Sequence, residues 1–281
     1  MNYSVLYNPY AANSQGEAQA KRLESVYPEA TLAYYDITKI TDYKKFFEEL
    51  ETENDVILCG GDGTINRFVN AIEGLEITHK ILYYPCGSGN DFAREVGKAD
   101  GMPIDLAPYI QNLPTVTVKG ETFRFLNGVG YGIDGYCCEV GDKFRAEKPG
   151  QDINYTAIAI KGLLFHYKPV DATVIVDGKE YNFKKVWLAP VMNGYYYGGG
   201  MWPAPEQRRE SDTISVMLFH KMGKLGALMT FPGIFKGTHV KKKKHVAVLS
   251  GKEITVKYSS PRSVQVDGET ILEVSEIYAK K

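Results

Sequence analysis

The chain has 281 residues, and its 44% hydrophobic content supplies enough apolar surface for about two domains. Its formal net charge of -1 excludes the globally basic surface that is typical of a nucleic-acid-binding protein. The first residues lack the regions of a signal peptide, and no apolar run is long enough to span a bilayer. The four cysteines are Cys59, Cys86, Cys137 and Cys138. Their spacing is neither that of a zinc site nor that of a secreted disulfide-bonded protein, which favours a cytoplasmic protein.

Strands and helices are predicted to alternate through the first hundred residues. Strands are predicted at residues 3–7, 31–35, 56–59 and 81–84, and helices at residues 17–27, 42–51, 66–72 and 91–96. This alternation is typical of a parallel sheet covered by helices. Ligands bind such sheets beyond the carboxyl ends of the strands.

From about residue 114 the pattern changes to short runs with a period of two. Turn signals separate several of these runs and indicate a β-sandwich built from hairpins. We place the domains at residues 1–112 and 113–281, with the last residues able to pack back on the first domain. Strands are predicted at residues 115–118, 123–129, 172–176, 185–191, 213–219, 245–250, 253–258 and 263–266, and a helix at residues 153–165.

Two glycine-rich loops follow predicted strands in the first domain. The first reads Gly60-Gly61-Asp62-Gly63-Thr64-Ile65-Asn66, and the second reads Gly87-Ser88-Gly89-Asn90-Asp91. Glycine permits tight turns with positive φ and lets a phosphate approach the exposed N–H groups. The two loops therefore predict a nucleotide-phosphate site.

Asp62 and Asp91 are the acidic residues of these loops. A carboxylate among exposed N–H groups can coordinate Mg²⁺, which prefers carboxylate and phosphate oxygens. A turn aspartate is the alternative for Asp62. A helix N-cap is the alternative for Asp91, and there both roles can hold together. The second glycine loop favours the functional interpretation, because a turn alone would not require it.

Asp267 and Glu269 lie two residues apart at a predicted turn, where both carboxylates could lie on one side of a strand. Phosphoryl transfer to an alcohol needs a base near the acceptor hydroxyl. An ordinary hairpin turn is the alternative, and the residues alone favour it.

The whole chain resembles the diacylglycerol kinase catalytic-domain family, which includes sphingosine kinases and bacterial soluble lipid kinases. The resemblance implies an α/β + β fold: a Rossmann-like nucleotide-binding domain followed by a β-sandwich, NAD kinase/diacylglycerol kinase-like, with the active site between them. It rests on the two glycine loops and on three later motifs in the family's order, Asn127-Gly128-Val129-Gly130, Gly198-Gly199-Gly200 with Pro203-Ala204-Pro205, and Val266-Asp267-Gly268-Glu269.

The resemblance also implies roles for individual residues. Asp267 or Glu269 would supply the base, and Asp62 and Asp91 would act through Mg²⁺ or the charge network around the phosphates, which Asp105 would join. ATP would be held by Asn8, Pro9, Gly60, Gly61, Asp62, Gly63, Thr64, Asn66, Gly87, Ser88, Gly89, Asn90 and Asp91.

The chain departs from the family pattern in two places that concern charge. Relatives hold a structural Mg²⁺ in the loop that contains Glu210 and Asp212, but this loop has fewer acidic residues than is usual. Arg67 stands where the family commonly has glutamate. Both departures put the details of cation and nucleotide binding in question.

The resulting prediction is an ATP-dependent, Mg²⁺-requiring lipid kinase, with diacylglycerol as the leading acceptor and phosphatidic acid as the product. The alternatives are a kinase for a sphingoid base, another lipid or NAD, and a nucleotide- or lipid-binding regulatory protein without turnover. The protein would meet its substrate at a membrane surface. The sequence leaves open whether the protein forms a homodimer. Four consecutive lysines predict peripheral contact with an anionic membrane as readily as a solvated turn: Lys241, Lys242, Lys243 and Lys244.

Overall fold

The structure is a computed structural model that describes residues 1–87, 89–97, 101–148, 151 and 153–281. The chain divides into two compact units, residues 1–112 and residues 113–281. Within the described ranges, no helix is both long and apolar enough to cross a bilayer.

The first unit alternates strands and helices around one sheet. Four strands pair in parallel in the order β2-β1-β3-β4, and β5 joins the edge of β4 in the antiparallel direction. The predicted Rossmann-like architecture is confirmed. In chain order the elements are β1 (Asn2–Tyr7), α1 (Ala11–Ser14), α2 (Gly16–Ala20), α3 (Leu23–Val26), β2 (Thr31–Asp36), α4 (Tyr43–Glu49), β3 (Asp55–Gly60), α5 (Asp62–Ala71), β4 (Ile81–Pro85), α6 (Asp91–Val96), β5 (Ile104–Asp105) and α7 (Ala107–Ile110).

The central strands of this sheet are mostly buried. Val5 and Leu6 of β1 and Ile57 and Leu58 of β3 are fully buried. Successive residues on a strand point to opposite faces, so both faces of the sheet are covered. The sheet therefore holds the loops at its carboxyl edge on a rigid support.

Two helices of the first unit differ from the prediction. The helix predicted at residues 17–27 is divided into α2 and α3. Helix α5 begins at Asp62, four residues earlier than predicted, with Gly61 as its N-cap. An acidic residue in the first turn is favoured by the helix dipole, so the glycine loop is continuous with the helix.

The second unit is built mainly from β-strands. Its elements are β6 (Thr115–Val118), β7 (Glu121–Arg124), β8 (Gly128–Tyr131), α8 (Ile133–Glu147), α9 (Tyr155–Lys161), β9 (Val170–Val176), β10 (Lys179–Val186), β11 (Val191–Met192), β12 (Ile214–Phe219), α10 (Lys224–Thr230), β13 (Val246–Gly251), β14 (Glu253–Val266) and β15 (Glu269–Lys280). A π-helical turn, Gly162–His166, follows α9, and 3-10 turns at Phe231–Lys236 and Thr238–Lys241 follow α10.

The long β14–β15 hairpin organises this unit. The strand order is β13-β12-β11-β8-β14-β15-β6-β7, and β9 joins β14 to β10. β14 pairs with β9 through residues 254–258 and with β8 through residues 264–266, with register breaks between the two stretches. Valines and isoleucines from these strands share one buried core, which confirms the predicted β-sandwich: Val129, Val174, Val191, Val256, Val264 and Ile277.

Several predicted elements of the second unit are wrong. The strand predicted at residues 123–129 is interrupted between β7 and β8, and most of the one predicted at residues 185–191 is a connection. Helices α8 and α10 and strand β15 were not predicted. The last residues form β15, which pairs with β14 and β6.

Candidate active site

The two glycine loops leave the first sheet side by side. β3 and β4 are parallel neighbours, and Gly60 lies opposite Pro85 at their carboxyl ends. The backbone N–H of Cys86 donates to the carbonyl of Gly60 at 2.7 Å. Both loops therefore begin at the edge of a parallel sheet where ligands bind.

Gly61 and Gly87 allow the loops to meet backbone to backbone. A Cβ atom on Gly87 would lie 2.5 Å from the Cα of Gly61, and one on Gly61 would lie 3.2 Å from the Cα of Gly87. The predicted positive φ is wrong for Gly61, whose φ is -104°, and among the described residues Gly60 and Gly63 do not have positive φ either. Close approach, rather than a left-handed backbone, is why Gly61 and Gly87 must be glycines.

Asn90 closes the second loop on itself. Its backbone is left-handed, with φ 49°, a conformation that asparagine adopts more readily than most residues. Its side chain accepts the N–H of Gly87 at 3.0 Å and donates to the carbonyl of Gly87 at 2.6 Å. The hydroxyl of Tyr83 donates to the carbonyl of Gly60 at 3.0 Å. Burial raises the pKa of Tyr83 well above its ordinary value, so this hydroxyl stays protonated as a donor.

Asn8 brings a third loop to the same edge of the sheet. It follows β1 and precedes Pro9, and its side chain donates to Thr64 Oγ1 at 3.0 Å. Its backbone N–H donates to the carbonyl of Cys59 at 3.1 Å. Thr64 in turn lies over Gly60, where a Cβ would come within 2.4 Å of the threonine side chain. The structure thus brings together residues from the ends of β1 and β3.

Asp62 joins the two glycine loops. It is the first residue of α5, and its carboxylate accepts the backbone N–H groups of Asp91 at 2.9 Å and Phe92 at 2.8 Å, at the beginning of α6. These N–H groups have no partner within the helix, and an anion at this end interacts favourably with the helix dipole. The alternative role of Asp91 as N-cap is wrong, because Asn90 occupies that position.

The other predicted phosphate-binding residues lie around this contact. Gly63 and Asn66 belong to α5, where Asn66 is buried. A Cβ on Gly89 would lie 3.6 Å from Asp62 Oδ2, which is an ordinary contact distance. Ser88 lies outside the described residues.

Asp105 lies at the far end of β4 from the glycine loops. β5 runs antiparallel to β4, so Asp105 is opposite Leu82, three residues before the end of β4 and about 10 Å away along the strand. Its carboxylate accepts the N–H of Ala107 at 3.0 Å and lies 3.5 Å from Lys80 Nζ. The predicted place of Asp105 in the phosphate charge network stays a prediction.

The acidic residues near the loops suit a metal ion that arrives with phosphates. In the part of the chain that the structure describes, no three His, Cys, Asp or Glu side chains are placed to hold a metal. Mg²⁺ commonly uses only one or two carboxylates and completes its shell with substrate phosphates and water. Asp62 contacts the backbone at the start of α6, whose first residue is Asp91, so these two acidic residues are the candidates for that mode of binding.

In the second unit, Asp267 is held by backbone donors. It lies in the turn between β14 and β15 with φ 45°. Its carboxylate accepts the N–H groups of Leu126, Asn127 and Gly128, the last two at 2.9 and 3.0 Å. Both carboxylate oxygens are therefore directed at the segment that enters β8, and this fixes the turn.

Glu269 lies on the other side of the same turn, as the first residue of β15. It is half-buried and pairs with Val266 across the hairpin. Burial, followed by nearby carboxylates that include Glu269, raises the pKa of the Cys138 thiol of α8 to about 12. Of the two predicted candidates for the base, Glu269 is the one outside the three-donor contact that holds Asp267.

A buried cation holds the other side of the segment that Asp267 contacts. Arg209 is 5% exposed, and its guanidinium donates to the carbonyl of Leu126 and, at 2.9 Å, to Asn127 Oδ1. Lys281 Nζ donates to Asn193 Oδ1 at 2.8 Å and to the carbonyl of Arg209 at 3.3 Å. Sequence reasoning missed Arg209, because Leu126 and Asn127 are 83 and 82 residues away from it.

The residues present do not fit the predicted structural Mg²⁺ site. The Asp212 side chain is 77% exposed, and its Oδ2 lies 3.2 Å from Lys252 Nζ. Glu210 is exposed, and its charge acts on Lys281, whose pKa is lowered mainly by burial. The buried Arg209 belongs to this loop, and the ammonium of Lys281 donates to its carbonyl.

Asp134 is a second buried carboxyl that sequence reasoning missed. It lies in the first turn of α8, and its Oδ2 accepts the hydroxyl of Tyr197 at 2.7 Å. Burial raises the pKa of Asp134 to about 6. Gly130 leaves room for it, since a Cβ there would lie 2.2 Å from Oδ2. The hydroxyl of Tyr197 therefore holds this carboxyl.

Comparison with known proteins agrees with this arrangement. Residues 2–117 match the diacylglycerol kinase catalytic domain, and residues 127–278 match the YegS C-terminal NAD kinase beta sandwich-like domain. A crystal structure described as a diacylglycerol kinase from Bacillus anthracis superposes with a TM-score of 0.60 at 20% identity. The alignment covers all of this chain and 93% of that one, and it supports the fold.

Curated relatives carry kinase names. A diacylglycerol kinase from Mycobacterium tuberculosis is 28% identical over 191 residues, which are 66% of this chain and 61% of the relative. The chain thus matches about three fifths of that relative's length. A diacylglycerol kinase from Bacillus subtilis is 22% identical over 231 residues, which are 76% of this chain and 70% of the relative. With both domain matches in their expected order, the chain belongs to the diacylglycerol kinase catalytic-domain family of lipid kinases.

Proposed function

We propose that this protein transfers the γ-phosphate of ATP to the hydroxyl of a lipid alcohol, with diacylglycerol as the leading acceptor. The observation that carries the proposal is the contact between Gly61 and Gly87, which presents two glycine loops as one surface at the carboxyl edge of the sheet. The names of the relatives support the lipid acceptor.

In this proposal the first unit binds the nucleotide. The N–H groups of the glycine loops and the amino end of α5 would face the phosphates, since both present hydrogen-bond donors and partial positive charge. Asp62 and Asp91 would hold Mg²⁺, which would neutralise charge on the transferring phosphate. Asn8 and Thr64 would keep the loop after β1 in register with the first glycine loop.

The second unit would supply the base. Glu269 would accept the proton of the acceptor hydroxyl while the oxygen of that hydroxyl forms its bond to the γ-phosphorus. The bond from that phosphorus to the bridging oxygen breaks, and ADP leaves. Asp267 would act as a positioning residue, because the backbone of Leu126, Asn127 and Gly128 fixes its carboxylate and hence the turn that carries Glu269.

The proposal is tested by following labelled γ-phosphate from ATP into a panel of acceptors. Diacylglycerol, a sphingoid base and NAD are offered in parallel, with and without a chelator of Mg²⁺. We expect label in phosphatidic acid, its loss on chelation, and a fall of at least about 100-fold in Glu269→Gln. Glu273→Gln, an exposed residue on the same strand, is the matched control and should retain full turnover.

Each other outcome would change the proposed acceptor, the proposed activity or the proposed base. Label in only the sphingoid base or NAD would keep the kinase and replace the acceptor. ATP binding without label in any product would contradict turnover and favour a regulatory protein. Full activity in Glu269→Gln would remove this residue as the base.

A further inference from the structure

Helix α10 carries apolar side chains on its outer face as well as its inner face. Ala227 is buried in a core shared with neighbouring helical turns. On the opposite face, Leu225 is 66% exposed and Met229 is 64% exposed. Residues four apart on a helix lie on the same face, so these two side chains form one apolar stripe.

Neighbouring segments extend this stripe. Phe165 in the π-helical turn is 73% exposed, and Phe235 in the turn after α10 is 42% exposed. The segments are joined, because Lys224 Nζ at the beginning of α10 donates to the carbonyl of Leu164 at 2.6 Å. We name Phe165, Leu225, Met229 and Phe235, together with the lysines of their segments, the apolar–basic face.

The charge of these segments has one sign. Residues 155–168 and 220–245 contain no Asp or Glu, whereas the whole chain has a net charge of -1. Lys242 reaches back to α10 and donates to Thr230 Oγ1 at 3.0 Å, so the run of lysines lies beside the apolar stripe. The two segments contain nine lysines: Lys161, Lys168, Lys221, Lys224, Lys236, Lys241, Lys242, Lys243 and Lys244.

We infer that the apolar–basic face docks this protein on the surface of an anionic lipid membrane. Exposed Phe, Leu and Met side chains insert at the boundary between headgroups and acyl chains, and lysines around them are attracted to anionic headgroups. A second copy of the chain would bring the same positive charge to the interface and be repelled. Large apolar side chains at the centre of the face do not suit a nucleic acid.

The same face has a structural link to the turn that carries Glu269. Helix α8 packs on the β14–β15 hairpin, since a Cβ on Gly135 would lie 1.9 Å from the carbonyl oxygen of Ser263. On another side α8 contacts the segment of Phe165, because a Cβ on Gly162 would lie 2.7 Å from the ring of Tyr136. This step rests on the proposed function: docking would bring the second unit to a lipid acceptor that resides in the membrane.

The experiment is co-sedimentation of the full chain with vesicles of phosphatidylcholine, with and without phosphatidylglycerol. We expect binding only to the anionic vesicles, and weaker binding as salt rises from about 50 mM to about 300 mM. Replacing Phe165, Leu225 and Met229 by Ser, or Lys241, Lys242, Lys243 and Lys244 by Gln, should each weaken binding at least about tenfold.

Control variants remove an apolar side chain or four charges outside the face. Leu272→Ser removes an apolar side chain that is 48% exposed on β15, outside the face. Replacement by Gln of four exposed lysines of the first unit removes as many charges: Lys21, Lys39, Lys44 and Lys45. Both controls should sediment with anionic vesicles as the unmodified protein does.

Three results would overturn the inference: unchanged sedimentation of the face variants, equal binding to neutral vesicles, and self-association that the face variants abolish. Phosphorylation of a water-dispersed short-chain diacylglycerol is measured in parallel and should be equal in all variants. Vesicle binding without phosphorylation of any lipid would contradict the proposed function and leave the docking face standing, so the two failures are distinguishable.

Discussion

The carboxylate of Asp62 accepts the backbone N–H of Asp91 at 2.9 Å, and its other oxygen accepts the N–H of Phe92 at 2.8 Å. The acidic residue of one glycine loop is thus the cap of the helix that follows the other. Any substitution at Asp62 changes a helix end as well as the charge beside the two glycine loops. Stability and turnover must therefore be measured together at this residue.

Asp62→Ala is expected to lower the free energy of unfolding by about 2 kcal/mol and to abolish phosphoryl transfer, because a helix cap and a metal-binding carboxylate are lost together. Asp42→Ala is the control, since Asp42 caps α4 through the N–H of Lys45 at 3.0 Å. It should lose about 1 kcal/mol and retain turnover. Urea unfolding and the labelled-phosphate assay check both, and normal turnover in Asp62→Ala would contradict the assigned role.

Gly87→Ala should destabilise the first unit by about 1–3 kcal/mol, because the added methyl would lie 2.5 Å from the Cα of Gly61. Gly89→Ala, two residues further along the same loop, meets Asp62 Oδ2 only at 3.6 Å. It should cost less than about 1 kcal/mol. Equal unfolding midpoints for the two variants would show that the loops do not depend on the Gly61–Gly87 contact.

Asp267→Asn should lower both stability, by about 2 kcal/mol, and turnover, because the amide cannot accept the N–H groups of Leu126, Asn127 and Gly128 as the carboxylate does. Asp177→Asn is a matched control in a second Asp-Gly turn. Its carboxylate accepts the N–H groups of Lys252 and Glu253 at 2.9 and 2.8 Å. One oxygen, Oδ1, accepts both of these N–H groups, and asparagine retains it, so that variant should lose less stability and keep its turnover.

The pH dependence of stability should report on Asp134. Folding raises its pKa from an ordinary value of 3.8 to about 6 by burial, so the folded state holds this proton more tightly than the unfolded state. The resulting stabilisation is complete below about pH 4 and is lost as the pH rises through about 6. It corresponds to roughly 3 kcal/mol.

Asp134→Asn should remove this decline, which urea unfolding at pH 4 and pH 8 measures. Asp171→Asn is the control. Hydrogen bonding from Lys184 lowers the pKa of Asp171, so its titration lies below this range and the decline should persist. A decline of the same size in Asp134→Asn would assign it to another group.

Arg209→Met should lower the unfolding midpoint of the second unit and reduce turnover, because the buried guanidinium holds Leu126 and Asn127. Arg208→Met removes an exposed guanidinium that lies 4.8 Å from the ring of Tyr195, and it should affect the unfolding midpoint and turnover less.

A metal chelator should leave the unfolding midpoint of the unmodified protein unchanged. A large decrease would reveal a structural metal that Arg209 and Lys281 do not replace.

The sequence predicted the parts of the molecule that depend on short-range patterns. Alternation of apolar runs and glycines located the first sheet and both loops. Helix α8 was missed because Gly135, required by contact with Ser263, lowers helix propensity near its start. The strand predicted through residues 125–127 is interrupted because backbone N–H groups there turn to Asp267, which is 141 residues from Leu126. No local pattern records such a partner.

Strand β15 is curved along its length. Twelve residues of a straight strand would span about 40 Å. Yet residues at both ends of β15 are linked to Leu126. Asp267, just before β15, accepts the N–H of Leu126. Lys281, just after β15, donates to the side chain of Asn193, which in turn donates to the carbonyl of Leu126. The strand must curl, and Glu273, with φ 54°, lies within it. The two ends of β15 are therefore linked to one residue, Leu126, so the position of the Asp-Gly-Glu turn depends on the curvature of β15 as well as on the contacts of Asp267.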